Sequence, residues 1–219
     1  MPNLTMQDHR ENVASAARQL AAAGLVLGTS GNVSERAGDL VAITPTGAAL
    51  ADVQPEDVTF VDLSGEVVDG QLQPTVELDL HLGVYNRYDA GAVVHTHAPQ
   101  ATAVACTMDE LPCIHYEMLL LGGAVPVAPY RTFGSPELAQ VGVDMLEGRI
   151  ATLLSNHGTL VYAENVATAV ERTHLLEAMS ALYLRAASLG NPRVLSQQDQ
   201  EDVVATVIGL GYGTTKRID

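Results

Sequence analysis

The sequence predicts an α/β fold: a single domain over residues 1–219, with a central, largely antiparallel sheet flanked by helices. Two observations carry that reading. Hairpin patterns over 33–44 and 58–68 are mixed with helical patterns, not laid out as regular strand–helix–strand units. No Pro/Ser-rich linker, low-complexity tract or internal repeat breaks the 219 residues, and a chain of that length can bury most of its apolar surface unaided.

The elements follow in order. Residues 6–23 carry Met6, Val13, Ala17 and Leu20 at helical spacing and stop at Gly24, a residue suited to end a helix. The first hairpin turns at Ala37-Gly38-Asp39 and the second at Ser64-Gly65. A helix is predicted over 75–88, a buried strand over 91–97 and a short helix after Pro99. Ser135-Pro136-Glu137 combines an N-cap serine with proline in the first turn, and Gly148 closes the helix it starts. Residues 151–155 form a short apolar strand. Asn165 caps a long helix that ends near Gly190 and Pro192, and Ser196 with Asp199 resembles a capping box for a last helix to about residue 210.

Composition excludes several function classes. The chain has 26 Asp and Glu against 11 Lys and Arg, a formal charge of −15, and Lys216 is its only lysine. It has no basic stripe to neutralise nucleic-acid phosphates, and anionic membrane surfaces are disfavoured for the same reason. Chemistry that needs an amine nucleophile rests on Lys216 or is absent. Cys106 and Cys113 lack paired metal-site spacing and suit a reduced, cytoplasmic protein. Residues 1–10 hold no apolar signal-peptide core, and the longest stretch free of Asp, Glu, Lys and Arg, 90–108, contains two histidines, Pro99 and Gln100, so no membrane span is expected.

The strongest local signal is Val93-Val94-His95-Thr96-His97. Alternation in a strand points His95 and His97 the same way, a common means of offering two nitrogens to one zinc, although an HxH pair alone is also an ordinary strand end. A second apolar run, Ile150 to Ser155, leads through Asn156 into His157 and Gly158. Two strands that each end in histidine can pool three nitrogens at one edge of a sheet, the ligand number of a catalytic zinc site.

Glu77 falls in the predicted first turn of a helix, where a carboxylate is favoured, and can serve as base or fourth ligand. His81, one turn on, could equally be a ligand, and His115 is a further possibility. His9 and His174 read as surface or core residues. Gly28-Thr29-Ser30-Gly31-Asn32 and Thr44-Pro45-Thr46-Gly47 are turns whose backbone and side chains can donate to a ligand. With so few basic residues, a bound phosphate must rely mainly on such neutral donors, Thr75 among them.

Taken in order, Gly28-Thr29-Ser30-Gly31-Asn32-Val33-Ser34, Thr44-Pro45-Thr46-Gly47, Pro74 to Glu77, His95-x-His97 and Asn156-His157-Gly158 resemble the class II aldolase/adducin head family. Within it the L-fuculose-1-phosphate aldolases are most similar, through Ile114-His115-Tyr116, Gly122-Gly123, Ala128-Pro129-Tyr130 and Thr132-Phe133-Gly134 as well. The resemblance runs from Gly24 to Tyr212. It implies an α/β domain assembled as a C4 homotetramer with active sites at subunit interfaces. It also implies zinc held by His95, His97, His157 and Glu77, with Glu77 doubling as acid/base. Gly31, Asn32, Thr46, Gly47, Thr75 and Val76 are then expected to line the substrate phosphate site. Tyr116 from a neighbouring subunit is expected to handle the proton on the aldehyde side, and Tyr212 to help close the site.

The implied activity is reversible cleavage of a ketose 1-phosphate to dihydroxyacetone phosphate and an aldehyde. That agrees with the residues: aldol cleavage needs a lysine imine or a Lewis-acid metal, and only the second is well supplied here. Thr75-Val76 stand where the fuculose-phosphate enzymes commonly have two serines, and the 213–216 tail also differs, which opens 5-deoxypentulose 1-phosphates as substrates. A pentulose-5-phosphate 4-epimerase on the same scaffold typically has Asp in place of Glu77. A non-catalytic adducin-like module lacks the metal histidines.

Overall fold

The computed structural model describes residues 4–210. Helix α1 (Met6–Ala22) opens with Thr5 as N-cap in a capping box with Asp8, and Val13, Ala14, Ala17 and Leu20 form its buried face. Strands β1 (Asn32–Ala37) and β2 (Leu40–Ile43) form the first hairpin, and β3 (Thr59–Asp62) and β4 (Val67–Asp69) the second, both where the turn residues predict them. They are followed by α2 (Leu78–Arg87), β5 (Ala92–Thr96), α3 (Pro99–Ala105), the two-residue β6 (Glu110–Leu111) and β7 (Val125–Ala128). The chain continues through α4 (Pro136–Asp144), β8 (Ala151–Leu154), β9 (Gly158–Ala163), α5 (Val166–Leu189) and α6 (Gln197–Leu210).

The nine strands form one sheet in the order β4-β3-β2-β1-β5-β9-β8-β7-β6. Every pairing is antiparallel except β7 with β8, so the sheet is mixed but mostly antiparallel, as expected. Strand alternation divides the interior into two cores. Val33, Ala42, Phe60, Val94 and Val161 face the layer that contains α1, α3 and α5, while Val41, Ile43, Val61, Val93 and Leu160 face α2 and α4. His95, two residues after Val93, therefore belongs to the α2/α4 side. Helix α6 buries no residue and lies against the 3₁₀ turn Tyr116–Leu121.

Three local readings change. The helix predicted from residue 75 starts at Leu78, because residues 73–75 are held extended beside 44–46. Thr46 N donates to Gln73 O (2.9 Å), Thr75 N donates to Thr44 O (3.2 Å), and Pro45 bridges Pro74. Glu77 thus occupies the N-cap instead of the first turn. Helix α4 ends at Asp144, and Gly148 (φ +68°) sits in the turn beyond it. The apolar run before His157 is only half of a hairpin: β8 ends at Leu154, Asn156 takes a left-handed φ of 55°, and β9 begins at Gly158. Strands β6, β7 and β9 carry no alternation long enough to be read from sequence.

Candidate active site

The histidines gather at the ends of β5 and β9, the strands at the middle of the sheet and not at its edge. His95 is the penultimate residue of β5, His97 lies just beyond it, and His157 closes the turn into β9. Gly158 makes this approach possible: a Cβ there would sit 2.2 Å from the Thr96 carbonyl oxygen, so only glycine lets the turn close on β5. Gly31 does the same on the other side, where a Cβ would lie 3.0 Å from His95 O.

The three rings pack edge to face with centroids 4.8–5.0 Å apart, and their ligand nitrogens lie within 4.8 Å of one another. His95 Nδ1 donates to Thr159 O (2.8 Å), which fixes the tautomer and leaves the Nε2 lone pair facing the site. Nε2 of His95 meets Nε2 of His97 at 3.1 Å. Glu77 closes the cluster, with Oε2 3.3 Å from His95 Nε2 and Oε1 3.4 Å from His157 Nε2.

Burial pushes all three imidazoles below the ordinary histidine range, His157 to about 4, so they are neutral near pH 7. Burial also raises the Glu77 carboxyl, but facing His95, the hydrogen bond from Asn32, and His157 and His81 outweigh it and hold the group below its usual value. Glu77 Oε1 and His157 Nδ1 are buried without a hydrogen-bond partner among the described residues. Neutral imidazoles and a carboxylate converging with unmatched lone pairs are what a bound cation satisfies, so the donor set fits a metal ion.

All six residues expected at the phosphate site line the same cleft of about 570 Å³, together with Glu77, His97 and His157. Asn32 Nδ2 donates to Glu77 Oε2 (2.9 Å) and to Thr75 Oγ1 (3.1 Å). Thr75 Oγ1 also accepts from Glu77 N (3.3 Å), which leaves its own hydroxyl hydrogen for a ligand. Val76 is 58% exposed and presents its side chain at the cleft.

Other expected residues lie elsewhere. His81 is not a ligand; it is fully buried and bonded to Asn32 and Ser34, and burial lowers its pKa to about 3. His115 caps the 3₁₀ turn and stacks on Tyr116, away from the cluster. His9 is buried against Glu35 (2.7 Å), and His174 is exposed on α5. Tyr116 lines a separate groove with Val203, Val207 and Leu210 of α6, not the histidine cleft of its own chain. Tyr212 and Lys216 lie outside the described residues.

Sequence reasoning gave no role to Tyr130, Arg131, Phe133 and Asn156, which also line the cleft. The segment that holds the first three packs on the Thr75–Glu77 turn: a Cβ on Gly134 (φ +69°) would lie 3.2 Å from Val76 O. Arg131 is the one arginine or lysine among the described lining residues. No helix among the described residues is long and apolar enough to cross a membrane.

Residues 11–184 match the family model described as Class II Aldolase and Adducin N-terminal domain. The chain is 36% identical over 211 residues to the 5-deoxy-D-ribulose 1-phosphate aldolase of Bacillus thuringiensis serovar kurstaki, covering 95% of this chain and 99% of that protein. It is 39% identical over 179 residues to the L-fuculose phosphate aldolase of Escherichia coli K12, covering 80% and 83%. A solved L-fuculose 1-phosphate aldolase superposes with a TM-score of 0.89 at 33% identity, over 95% of this chain and all of that one.

Proposed function

The chain belongs to the class II aldolase and adducin N-terminal domain family, and from that premise we propose that it cleaves a ketose 1-phosphate reversibly to dihydroxyacetone phosphate and an aldehyde. The observation that carries the reading is the contact of one carboxylate, Glu77, with two histidines of the triad, at 3.3 and 3.4 Å, in a cleft shared with three donor-rich turns. Relatives of both names match this chain at 36–39% identity, and the preference for a 5-deoxypentulose 1-phosphate over L-fuculose 1-phosphate rests on Val76, which puts an apolar side chain at the turn proposed to bind phosphate.

His95, His97 and His157, with Glu77 before substrate binds, are the residues to hold the metal, and a nitrogen-rich set of this kind suits zinc. A divalent ion there supplies the Lewis-acid electron sink that carbon–carbon cleavage needs. The backbone N–H groups of Gly31, Gly47 and Val76, with the Thr46 and Thr75 side chains, bind the phosphate, and Asn32 lines the same pocket with its NH₂ engaged by Glu77 and Thr75. The proton leaves the C4 hydroxyl, the C3–C4 bond breaks to release the aldehyde, and its electron pair moves toward the C2 carbonyl. Glu77 then returns a proton to C3, and in the synthetic direction removes it.

The reading includes a cytoplasmic homotetramer in which the partner subunit's Tyr116 serves the aldehyde-side proton and Tyr212 helps close the site. The test is a panel of ketose 1-phosphates and L-ribulose 5-phosphate, assayed for dihydroxyacetone phosphate with and without chelator. Chelator-sensitive triose release from a 5-deoxypentulose 1-phosphate supports it; epimerisation of the ribulose phosphate without triose release overturns it.

A further inference from the structure

His81 is fully buried beneath the cleft, makes no hydrogen bond to His95, His97 or His157, and is left without a role by the reaction above. It stands in a hydrogen-bonded chain whose direction the chemistry dictates. Glu77 is a carboxylate and can only accept, so the Asn32 group 2.9 Å from its Oε2 is the NH₂. Asn32 Oδ1 must then accept, and it does so from His81 Nε2–H at 2.5 Å. A neutral imidazole protonated at Nε2 accepts at Nδ1, where the Ser34 hydroxyl donates at 2.7 Å. Ser34 Oγ in turn accepts from Tyr85 OH at 2.8 Å.

Every link has one allowed sense. If His81 carried its hydrogen on Nδ1, Nε2 would face Asn32 Oδ1 lone pair to lone pair. The amide would be driven to flip, and its carbonyl would face the Glu77 carboxylate.

We propose that His81 is a positioning residue which, through Asn32, holds the Glu77 carboxylate in the orientation that proton transfer needs. The proposal rests on the reading of Glu77 as the proton-transfer group. Because Asn32 Nδ2 also reaches Thr75 Oγ1, the same lock keeps the amide bridging the two turns on which the cleft is built.

The experiment combines kinetics with a measurement that needs no turnover. In H81L, kcat for triose release is expected to fall by roughly tenfold to a hundredfold, the range for loss of the charge-assisted Asn32–Glu77 hydrogen bond that His81 holds in place, with metal content unchanged. His81→Gln, which keeps a donor toward Asn32, should recover most of the rate. In an Asn32→Ala background, H81L should have less than about a twofold further effect, because its route is already gone. Equal losses with and without Asn32, or a Gln variant as impaired as the Leu one, would overturn the proposal. Independently, ¹⁵N NMR of the His81 ring in the wild-type protein should report a neutral, Nε2-protonated imidazole, and an Nδ1-protonated ring refutes it. If no ketose phosphate is cleaved at all, the functional reading fails, and the tautomer still decides whether the lock exists.

Discussion

Nε2 of His95 lies 3.1 Å from Nε2 of His97, while the other nitrogen of His95 is committed to the Thr159 carbonyl. A ring held in that tautomer can only present a lone pair to the site, and His157 and Glu77 bring further acceptors to the same place. His95, His97, His157 and Glu77 therefore converge as the donors of a bound cation would. Its removal should destabilise the fold as well as stop the reaction, since a ligand bound only by the native state stabilises it in proportion to its occupancy. Dialysis against a strong chelator should lower the midpoint of thermal unfolding, and adding back zinc should restore it. His95→Ala should abolish the zinc-dependent increment, and an unchanged midpoint in all three samples would remove the metal from the fold.

Glu77 differs from the histidines in carrying charge, and its Oε1 has no hydrogen-bond partner among the described residues. Glu77→Gln keeps the shape and loses the proton acceptor. Metal content should be retained, because three imidazoles remain, while kcat falls by roughly 10²–10⁴, the span of a lost general acid/base. Stoichiometric zinc by elemental analysis together with near wild-type turnover would take Glu77 out of the proton-transfer role.

His81 gives the fold a defined pH response. Burial lowers its native pKa to about 3 from an ordinary value of 6.5. The unfolded chain therefore takes up its proton first as pH falls, and native stability is lost between those two values and is unaffected by this group above 6.5. The slope this single site adds is at most about 1.4 kcal/mol per pH unit. Urea unfolding between pH 7.5 and 5 should show a steeper loss in the wild type than in His81→Gln. Parallel curves would mean that His81 does not remain neutral in the native state.

Arg131 lies on the segment that packs against Val76, beside the turns proposed to bind phosphate. In a protein of charge −15 it is the lining cation best placed to draw in a dianionic substrate. Its exposure limits the gain to the scale of a solvent-screened contact. Arg131→Ala should raise KM for the phosphorylated ketose by about fivefold with little change in kcat, and the difference should shrink at high salt. A salt-independent loss of kcat would assign Arg131 a different role.

How far the site could be read from sequence follows from which contacts are local. His95 and His97 are related by strand alternation, and capping residues mark most helix starts, so these were legible. The arrival of His157 was only half so: the apolar run before it is visible, but its position beside His97 depends on β9 pairing with β5, and β9 has no signature of its own. From sequence Glu77 reads as a first-turn residue, because the extended pairing of 73–75 with 44–46, which delays the helix, is a contact across some 30 residues. Arg131 and Phe133 lie in an irregular segment, where neither periodicity nor turn chemistry points at a cleft.

The separation of Tyr116 from Glu77 within one chain leads to the last prediction. Tyr116 sits over the groove between the 3₁₀ turn and α6, not in the cleft that holds Glu77. If a site is completed by the partner subunit's Tyr116, a chain with Glu77→Gln and a chain with Tyr116→Phe carry different defects that can be segregated. Co-expressed under separate tags, the two should form hybrid assemblies in which some interfaces join an intact Glu77 to an intact tyrosine. Those hybrids, isolated by tandem affinity purification, should turn over several-fold faster than either parent, since some of their sites are fully wild type. Activity no higher than the average of the two parents would mean that each chain builds its site alone, and Tyr116 would then have no part in the chemistry.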